Sequence, residues 1–291
     1  AARALAQRLG VMLSEVKGSG PGGRIMPADV EAFAAATQPS HEPSPQPSPN
    51  GENDKQLLLI GPEREIIPLK GIRRTIFLNM TRSMQTTAPC SSFIDVDMSQ
   101  VAQLRKRAKT NEQNIGITAI VARALVRALE EFPHMNALAL EDGLHLAQDI
   151  NLGIAADTTD GLLVPVIRGI QSRTLPQIHQ AIRTLAEAAA QHRLGPDDFA
   201  GGTFTLSNLG HLPIRSFAPI LNAPQVGIIG IADVQERVVV IEHQMVIRPM
   251  LALNLTFDHR WIDGRPAALF LCRIKEILEH ANELFAAEIK P

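Results

Sequence analysis

Residues 37–62 decide what the rest of this chain can fold into. From Thr37 to about Leu57 the composition is Pro, Ser, Gln, Asn, Glu and Asp, with Pro39, Pro43, Pro45, Pro47 and Pro49 on near-alternate positions. Proline fixes φ and offers no amide hydrogen, and a stretch so poor in apolar side chains cannot bury enough surface to offset chain entropy. No core can be built from it, so it reads as an extended, semi-rigid tether. A tether leaves two folded units, residues 1–36 and 63–291, and raises the local concentration of whatever the small unit holds.

The chain has 291 residues, is 45% hydrophobic and carries a net charge of −2. That is enough apolar material for a sizeable core. The charge balance excludes wholesale nucleic-acid binding and a polybasic membrane surface, so charge recognition must be local. Cys90 and Cys272 are far apart in apolar surroundings, which argues against a disulfide framework or a zinc site, suits a reducing compartment and places both in the core. No apolar run reaches transmembrane length. The sequence opens on a helical pattern rather than a signal or transit peptide, as a fragment with a missing upstream part would.

Residues 1–36 carry apolar Leu5, Leu9 and Val11 at helical spacing, a glycine-rich loop, and a Pro27-started helix through Val30 and Phe33. The loop Gly18 to Gly23 matches the G-x-G-x-x-G spacing of dinucleotide-binding turns. That reading fails, because the fingerprint needs a preceding strand and a helix opening at its last glycine, and here a helix precedes and Arg24-Ile25-Met26 intervenes. The glycines instead let a tight loop pack between two short helices. Arg3 and Arg24, taken alone, are solvated charges.

From Glu63 onward helical and strand patterns alternate. Ile66, Ile67 and Leu69 suggest an entry strand, Ile72, Ile76 and Met80 a helix, and Phe93, Ile94 and Val96 a strand. Ile117 to Leu129 marks a helix that stops before Pro133. Residues 150–155 and 162–167 predict two strands joined through Asp160-Gly161. Leu175, Ile178, Ile182, Leu185 and Ala189 define an amphipathic helix, and strands dominate from Gly202 to Phe257. Consecutive strands with helices on one face predict an α+β sandwich rather than a doubly wound parallel sheet.

The stretch with the most chemistry follows. Met250 to Phe257 reads as a strand that delivers His259 into a polar turn, and a helix with Leu271, Ile274 and Leu278 comes after it. Asp263 precedes Gly264 and is placed to anchor the turn. One histidine and one aspartate at this spacing also make an ordinary surface turn. The other histidines are scattered and none forms a ligand spacing, and Arg260 opposes a cation beside Asp258, His259 and Asp263, so no metal is expected.

Asp258 to Gly264 resembles the His-x-x-x-Asp-Gly signature of coenzyme-A-dependent acyltransferases, in the form used by the dihydrolipoamide acyltransferase component of 2-oxoacid dehydrogenase complexes. Trp261 stands where the family has an aliphatic residue. Asp157 to Ile167, Gly201 to Gly210 and Phe217 to Gln225 are similar to three more of that family's runs, in the same order. Cys90 departs from it, standing where relatives often carry a histidine. Arg3 to Phe33 resembles the family's peripheral subunit-binding domain.

The resemblance implies a chloramphenicol-acetyltransferase-like α+β sandwich preceded by a small two-helix subunit-binding domain. It implies transfer of an acyl group, acetyl being the one expected, between a dihydrolipoamide thiol and coenzyme A. His259 would be the base, Ser207 would stabilise the oxyanion, and Asp263 would fix the loop through an arginine for which Arg73 and Arg74 are candidates. Coenzyme A enters as substrate, and the lipoyl group sits on a lipoyl domain not present in this chain. Arg3 and Arg24 would contact the decarboxylating 2-oxoacid dehydrogenase and dihydrolipoamide dehydrogenase. A trimer-based homo-oligomeric core, in bacterial cytoplasm or mitochondrial matrix, is implied as well, with no nucleic acid and no membrane. Apolar residues in Phe217 to Leu221 and Leu284 to Ala287 are expected at subunit contacts. Two alternatives stand beside this: a non-catalytic scaffold that only docks a partner enzyme, and an enzyme with a free small-molecule acceptor.

Overall fold

The computed structural model describes residues 2–9, 12–37, 67–158 and 161–289, which fall into two units, Ala1–Ile67 and Pro68–Pro291. Val11, Ile66 and the stretch from Gln38 through the expected linker lie outside the described residues.

In the first unit, helices α1 (Ala2–Leu9) and α2 (Pro27–Thr37) enclose a small core of Ala6, Val16 and Val30, with Leu5, Ile25 and Phe33 against it. The loop between them hangs on Asp29, whose carboxylate accepts the Ser19 hydroxyl (2.6 Å), the Ser19 amide (2.9 Å) and the Met26 amide (2.8 Å). Those bonds, the Ser19 hydroxyl first, hold the Asp29 carboxyl below its ordinary range. Glycine is required here: Gly22 and Gly23 have φ of 72° and 78°, and a Cβ on Gly18 would stand 2.4 Å from the Gly23 carbonyl oxygen.

The second unit begins with α3 (Gly71–Thr86), β1 (Pro89–Asp97), α4 (Ser99–Thr110) and α5 (Ile117–Glu131). The small ladder β2 (Ala137–Leu140) and β3 (Gly143–Leu146) comes next. Then follow β4 (Leu152–Ile154), β5 (Ala156–Thr158), β6 (Gly161–Leu163), β7 (Val166–Ile167) and α6 (Leu175–Ala190). β8 (Phe204–Asn208), the long β9 (Gly227–Ile241) and β10 (Gln244–Asp258), α7 (Gly264–Glu279) and α8 (Ala281–Phe285) complete it. The main sheet has the order β1-β10-β9-β8-β4-β7. β8 runs parallel to both β9 and β4, and the other neighbours are antiparallel.

The C-terminal half of β10 is buried on both of its faces. Leu253, Leu255 and Phe257 point to the core that α5 and α7 cover, together with Phe270 and Ile274 of α7. Phe270 meets Phe132 edge-on, with centroids 5.7 Å apart. The alternate residues Asn254, Thr256 and Asp258 are buried too, and their polar groups are satisfied laterally. Thr256 Oγ1 is 2.8 Å from Ser91 Oγ and donates to Asn254 Oδ1 at 3.1 Å, and Asn254 Nδ2 donates to the Ser92 carbonyl at 3.3 Å. Beyond these levels β9 and β10 continue as a two-stranded arm from Val234 to Arg248, its strands laddered only to each other. One face of it carries the cross-strand pairs Val238 with Ile247 and Val240 with Met245, all well exposed.

The α+β sandwich expected from the sequence is the fold observed. Three local expectations change. Ile67 and Leu69 are exposed and irregular rather than an entry strand. Of the two strands read over 150–155 and 162–167, the first is found as β4 and the second is cut into β6 and β7, since Pro165 has no amide to continue the pairing; β5 forms in the expected turn and pairs with β6 in a separate ladder, while β4 and β7 join the main sheet. Cys272, expected in the core, is exposed on α7, and Cys90 is half-buried on β1. The apolar segments expected at contacts are also divided, with Leu221 and Phe285 fully buried in their own subunit and Ile220 and Leu284 exposed.

Candidate active site

His259 is the first residue after β10, exposed, with its backbone amide bonded to the Ala88 carbonyl at 2.8 Å. Its imidazole leans on the Phe257 ring, centroids 5.5 Å apart, and makes no hydrogen bond among the described residues, so both ring nitrogens are open to a substrate. The turn is fixed from the preceding residue. The Asp258 side chain is wholly buried, and its carboxylate takes the Arg260 guanidinium by Nε at 3.0 Å and Nη2 at 2.6 Å and the Ala88 amide at 3.2 Å. Burial pushes the Asp258 carboxyl up, but the Arg260 guanidinium and the Ala88 and Arg260 amides outweigh it and hold the group below its ordinary value.

Asp263 is the N-cap residue of α7, with extended backbone and no side-chain cap bond. It is exposed, and its carboxylate has no hydrogen bond or ion pair among the described residues. Neither Arg73 nor Arg74 pairs with it; the Arg73 guanidinium lies beside Gly161. The ion pair of this turn is instead made by Asp258 and Arg260, a pairing the sequence reading missed. The sequence marks only half of it: Asp258 continues the alternation of Asn254 and Thr256 on the face opposite Leu253, Leu255 and Phe257, but its burial comes from Ala88 and Val226, far away in sequence.

Ser207 lies near the end of β8, half-buried, with no hydrogen bond to its hydroxyl among the described residues. It pairs with Gly230, and Gly230 with Asn254, five residues before His259. At about 3.3 Å per residue along a strand and about 4.8 Å between strands, the Cα atoms of Ser207 and His259 stand roughly 15–20 Å apart. Clefts of about 800 and 610 Å³ open beside α6 and α3, and neither is lined by His259, Ser207 or Asp263. Within one chain the two residues are thus separated, and neither cleft joins them. Arg3 and Arg24 are exposed in the first unit. Among the described residues no cluster of His, Cys, Asp and Glu is arranged to hold a metal ion, and no helix is long and apolar enough to cross a membrane.

Residues 61–286 match the family model described as 2-oxoacid dehydrogenases acyltransferase (catalytic domain), and residues 1–31 match the e3 binding domain. The dihydrolipoyllysine-residue succinyltransferase component of the 2-oxoglutarate dehydrogenase complex of Bacillus subtilis is 36% identical over 289 residues, 97% of this chain and 69% of that protein. A solved Azotobacter vinelandii dihydrolipoamide acetyltransferase, in which a serine, a histidine and an asparagine were investigated for their catalytic role, is 31% identical. It superposes with a TM-score of 0.72 over 82% of this chain and 100% of its own. The cubic core of a pyruvate dehydrogenase multienzyme complex matches with the same TM-score and coverage at 32% identity.

Proposed function

The chain belongs to the acyltransferase family of 2-oxoacid dehydrogenase components, an e3 binding domain preceding its catalytic domain, and from that premise we propose how its own residues move an acyl group from a dihydrolipoyl thiol to coenzyme A. Residues 1–36 are the subunit-binding domain, 37–62 the linker and 63–291 the catalytic domain. The observation that carries the assignment of the site is a pair of intervals. In the Azotobacter enzyme the serine and histidine are 52 residues apart and the histidine and asparagine four; Ser207, His259 and Asp263 repeat both intervals, with aspartate in place of asparagine.

The base comes first. A free thiol has a pKa of about 8.5 and an imidazole about 6.5, so a neutral histidine beside the coenzyme A thiol can take its proton as the sulfur attacks. His259, with both ring nitrogens open, has that role. The sulfur adds to the thioester carbonyl carbon and the carbonyl oxygen becomes an oxyanion, to which the Ser207 hydroxyl donates. Collapse breaks the bond to the dihydrolipoyl sulfur, which leaves with the proton that His259 held. No enzyme group is acylated, and the two thiols meet directly.

Ser207 and His259 cannot both reach one carbonyl across roughly 15–20 Å. The active form is therefore a symmetric oligomer, a trimer that builds into a larger core, with the His259 of one chain facing the Ser207 of its neighbour. The cubic assembly of a structural relative supports this. Acetyl is the acyl group proposed, as for the Azotobacter acetyltransferase, with succinyl, as for the Bacillus relative, the alternative that the donor series below separates. Arg3 and Arg24 serve the docking of dihydrolipoamide dehydrogenase and the decarboxylating dehydrogenase. The bacterial source of the relatives supports a bacterial cytoplasmic complex.

The test is a steady-state assay with dihydrolipoamide and acetyl-, succinyl- or isobutyryl-coenzyme A, run on the wild type and on His259→Ala. The acetyl donor should give the largest kcat/KM, and His259→Ala should lose about 10²- to 10⁴-fold in turnover. Turnover near wild type in His259→Ala removes the base assignment, and no transfer from any donor removes the activity.

A further inference from the structure

We propose that Asp258, clamped by Arg260, is the positioning residue that sets the direction of the His259 imidazole; the proposal rests on His259 being the base. Every polar group of Asp258 is committed to this turn. Its amide donates to Val226 (2.9 Å), and its carbonyl accepts the amides of Trp261 and Ile262, both at 3.0 Å. Oδ1 accepts the amides of Ala88 and Arg260, both at 3.2 Å, and Arg260 Nε at 3.0 Å, while Oδ2 takes Arg260 Nη2 at 2.6 Å. Ala88 is gripped twice, its amide by the Asp258 carboxylate and its carbonyl by the His259 amide. The histidine is thus held between two residues that close on each other, and the pair is bolted to the link between α3 and β1.

The clamp is lopsided. Asp258 is fully buried, whereas the Arg260 side chain is 46% exposed. A buried carboxylate stays ionised only while its partner is folded over it. The elements on either side do not depend on the clamp, because Phe257 of β10, Ile262 before α7 and Ala267 and Phe270 of α7 are all in the core. Breaking the pair should therefore loosen the turn and leave the sheet and α7 standing. A base must hold its geometry closely, and a misplacement of about 1 Å costs on the order of 10²-fold in rate.

The experiment uses the full chain as Asp258→Asn, Arg260→Gln, the double variant and Arg260→Lys, with His259→Ala alongside. Rates are divided by the number of coenzyme A sites titrated in each preparation, so that unfolded protein does not count. Each single variant should lose about 10- to 100-fold in kcat with KM for coenzyme A nearly unchanged. The double variant should be no worse than the worse single, because the pair acts as one unit, and Arg260→Lys should recover part of the loss. Should Asp258→Asn fail to fold, the two Arg260 variants decide. Turnover per site like that of the wild type in Arg260→Gln overturns the clamp, as does loss of both kcat and KM in step. If His259→Ala is inactive while the clamp variants are fully active, this inference alone falls; if His259→Ala is active, the proposed chemistry falls with it.

Discussion

Ser207 and His259 of one chain lie two strands and five residue levels apart on the same sheet. If they act on one carbonyl, they belong to different chains. Mixing inactive His259→Ala and Ser207→Ala subunits, after dissociation and reassembly, should then restore part of the wild-type rate, because some interfaces combine an intact histidine with an intact serine. Activity recovered against mixing ratio is the measurement. A flat line at the background of the single variants places both residues in one subunit, and a fully active monomer in sedimentation rules out the oligomer.

Docking through the first unit should respond to charge. Arg3 and Arg24 are exposed, so a complex they help to hold weakens as salt shortens the range of their field, to about 8 Å at physiological ionic strength. Titrating a dihydrolipoamide dehydrogenase onto the chain should give a Kd that rises with salt, and Arg24→Ala should raise it at low salt without loss of helicity. Salt-independent binding returns both arginines to ordinary solvated charges.

His179 should make the catalytic unit acid-sensitive. Gly116, the N-cap residue of α5, donates its amide to His179 Nδ1 at 3.3 Å, which requires an unprotonated nitrogen. Burial, and then the nearby charge of Arg183, lower the His179 pKa. The unfolded chain therefore binds this proton more readily than the folded one. The stability contribution is complete above the unfolded value of about 6.5 and is lost as pH falls below it toward the depressed folded value. Tm measured between pH 8 and pH 5 should drop in that lower range, and His179→Gln, which cannot charge, should flatten the slope. An unchanged slope assigns the acid sensitivity to other groups.

Gly227 is the tightest joint of the main sheet. A Cβ there would stand 2.3 Å from the ring of Phe204, which is fully buried and packs on Phe270 with centroids 6.0 Å apart. Gly227→Ala should cost about 1–3 kcal/mol in stability through the displaced ring. The midpoint of urea unfolding checks this; a midpoint equal to that of the wild type means the ring has room to move.

Periodicity made the long helices legible. Ile117 to Leu129 and Leu175 to Ala189 predicted α5 (Ile117–Glu131) and α6 (Leu175–Ala190) closely, because apolar steps of three and four leave little choice of face. The exposed loop position of His259 was also readable, from an apolar strand ending in polar residues. Pairing was not. Nothing local in Leu152 to Ile154 says that β4 lies parallel to β8, or that the chain leaves the main sheet at Ala156 and rejoins it at Val166. Asp258 was passed over for a related reason: a carboxylate beside a histidine looks like turn chemistry until its burial is known. Burial there depends on residues far away in sequence, Ala88 and Val226.

The arm formed by β9 and β10 bears on how the protein is made as well as how it works. It extends past every neighbouring strand with open edges and a face of Val238, Val240, Met245 and Ile247 turned to water. Ribbons of that kind adhere to one another edge to edge. A newly released chain is therefore open to indiscriminate clumping through that surface before it is covered. Yield of soluble enzyme should depend on synthesis rate and temperature more steeply than the stability of the finished fold would suggest, and charged substitutions on the arm would show whether that surface is the cause.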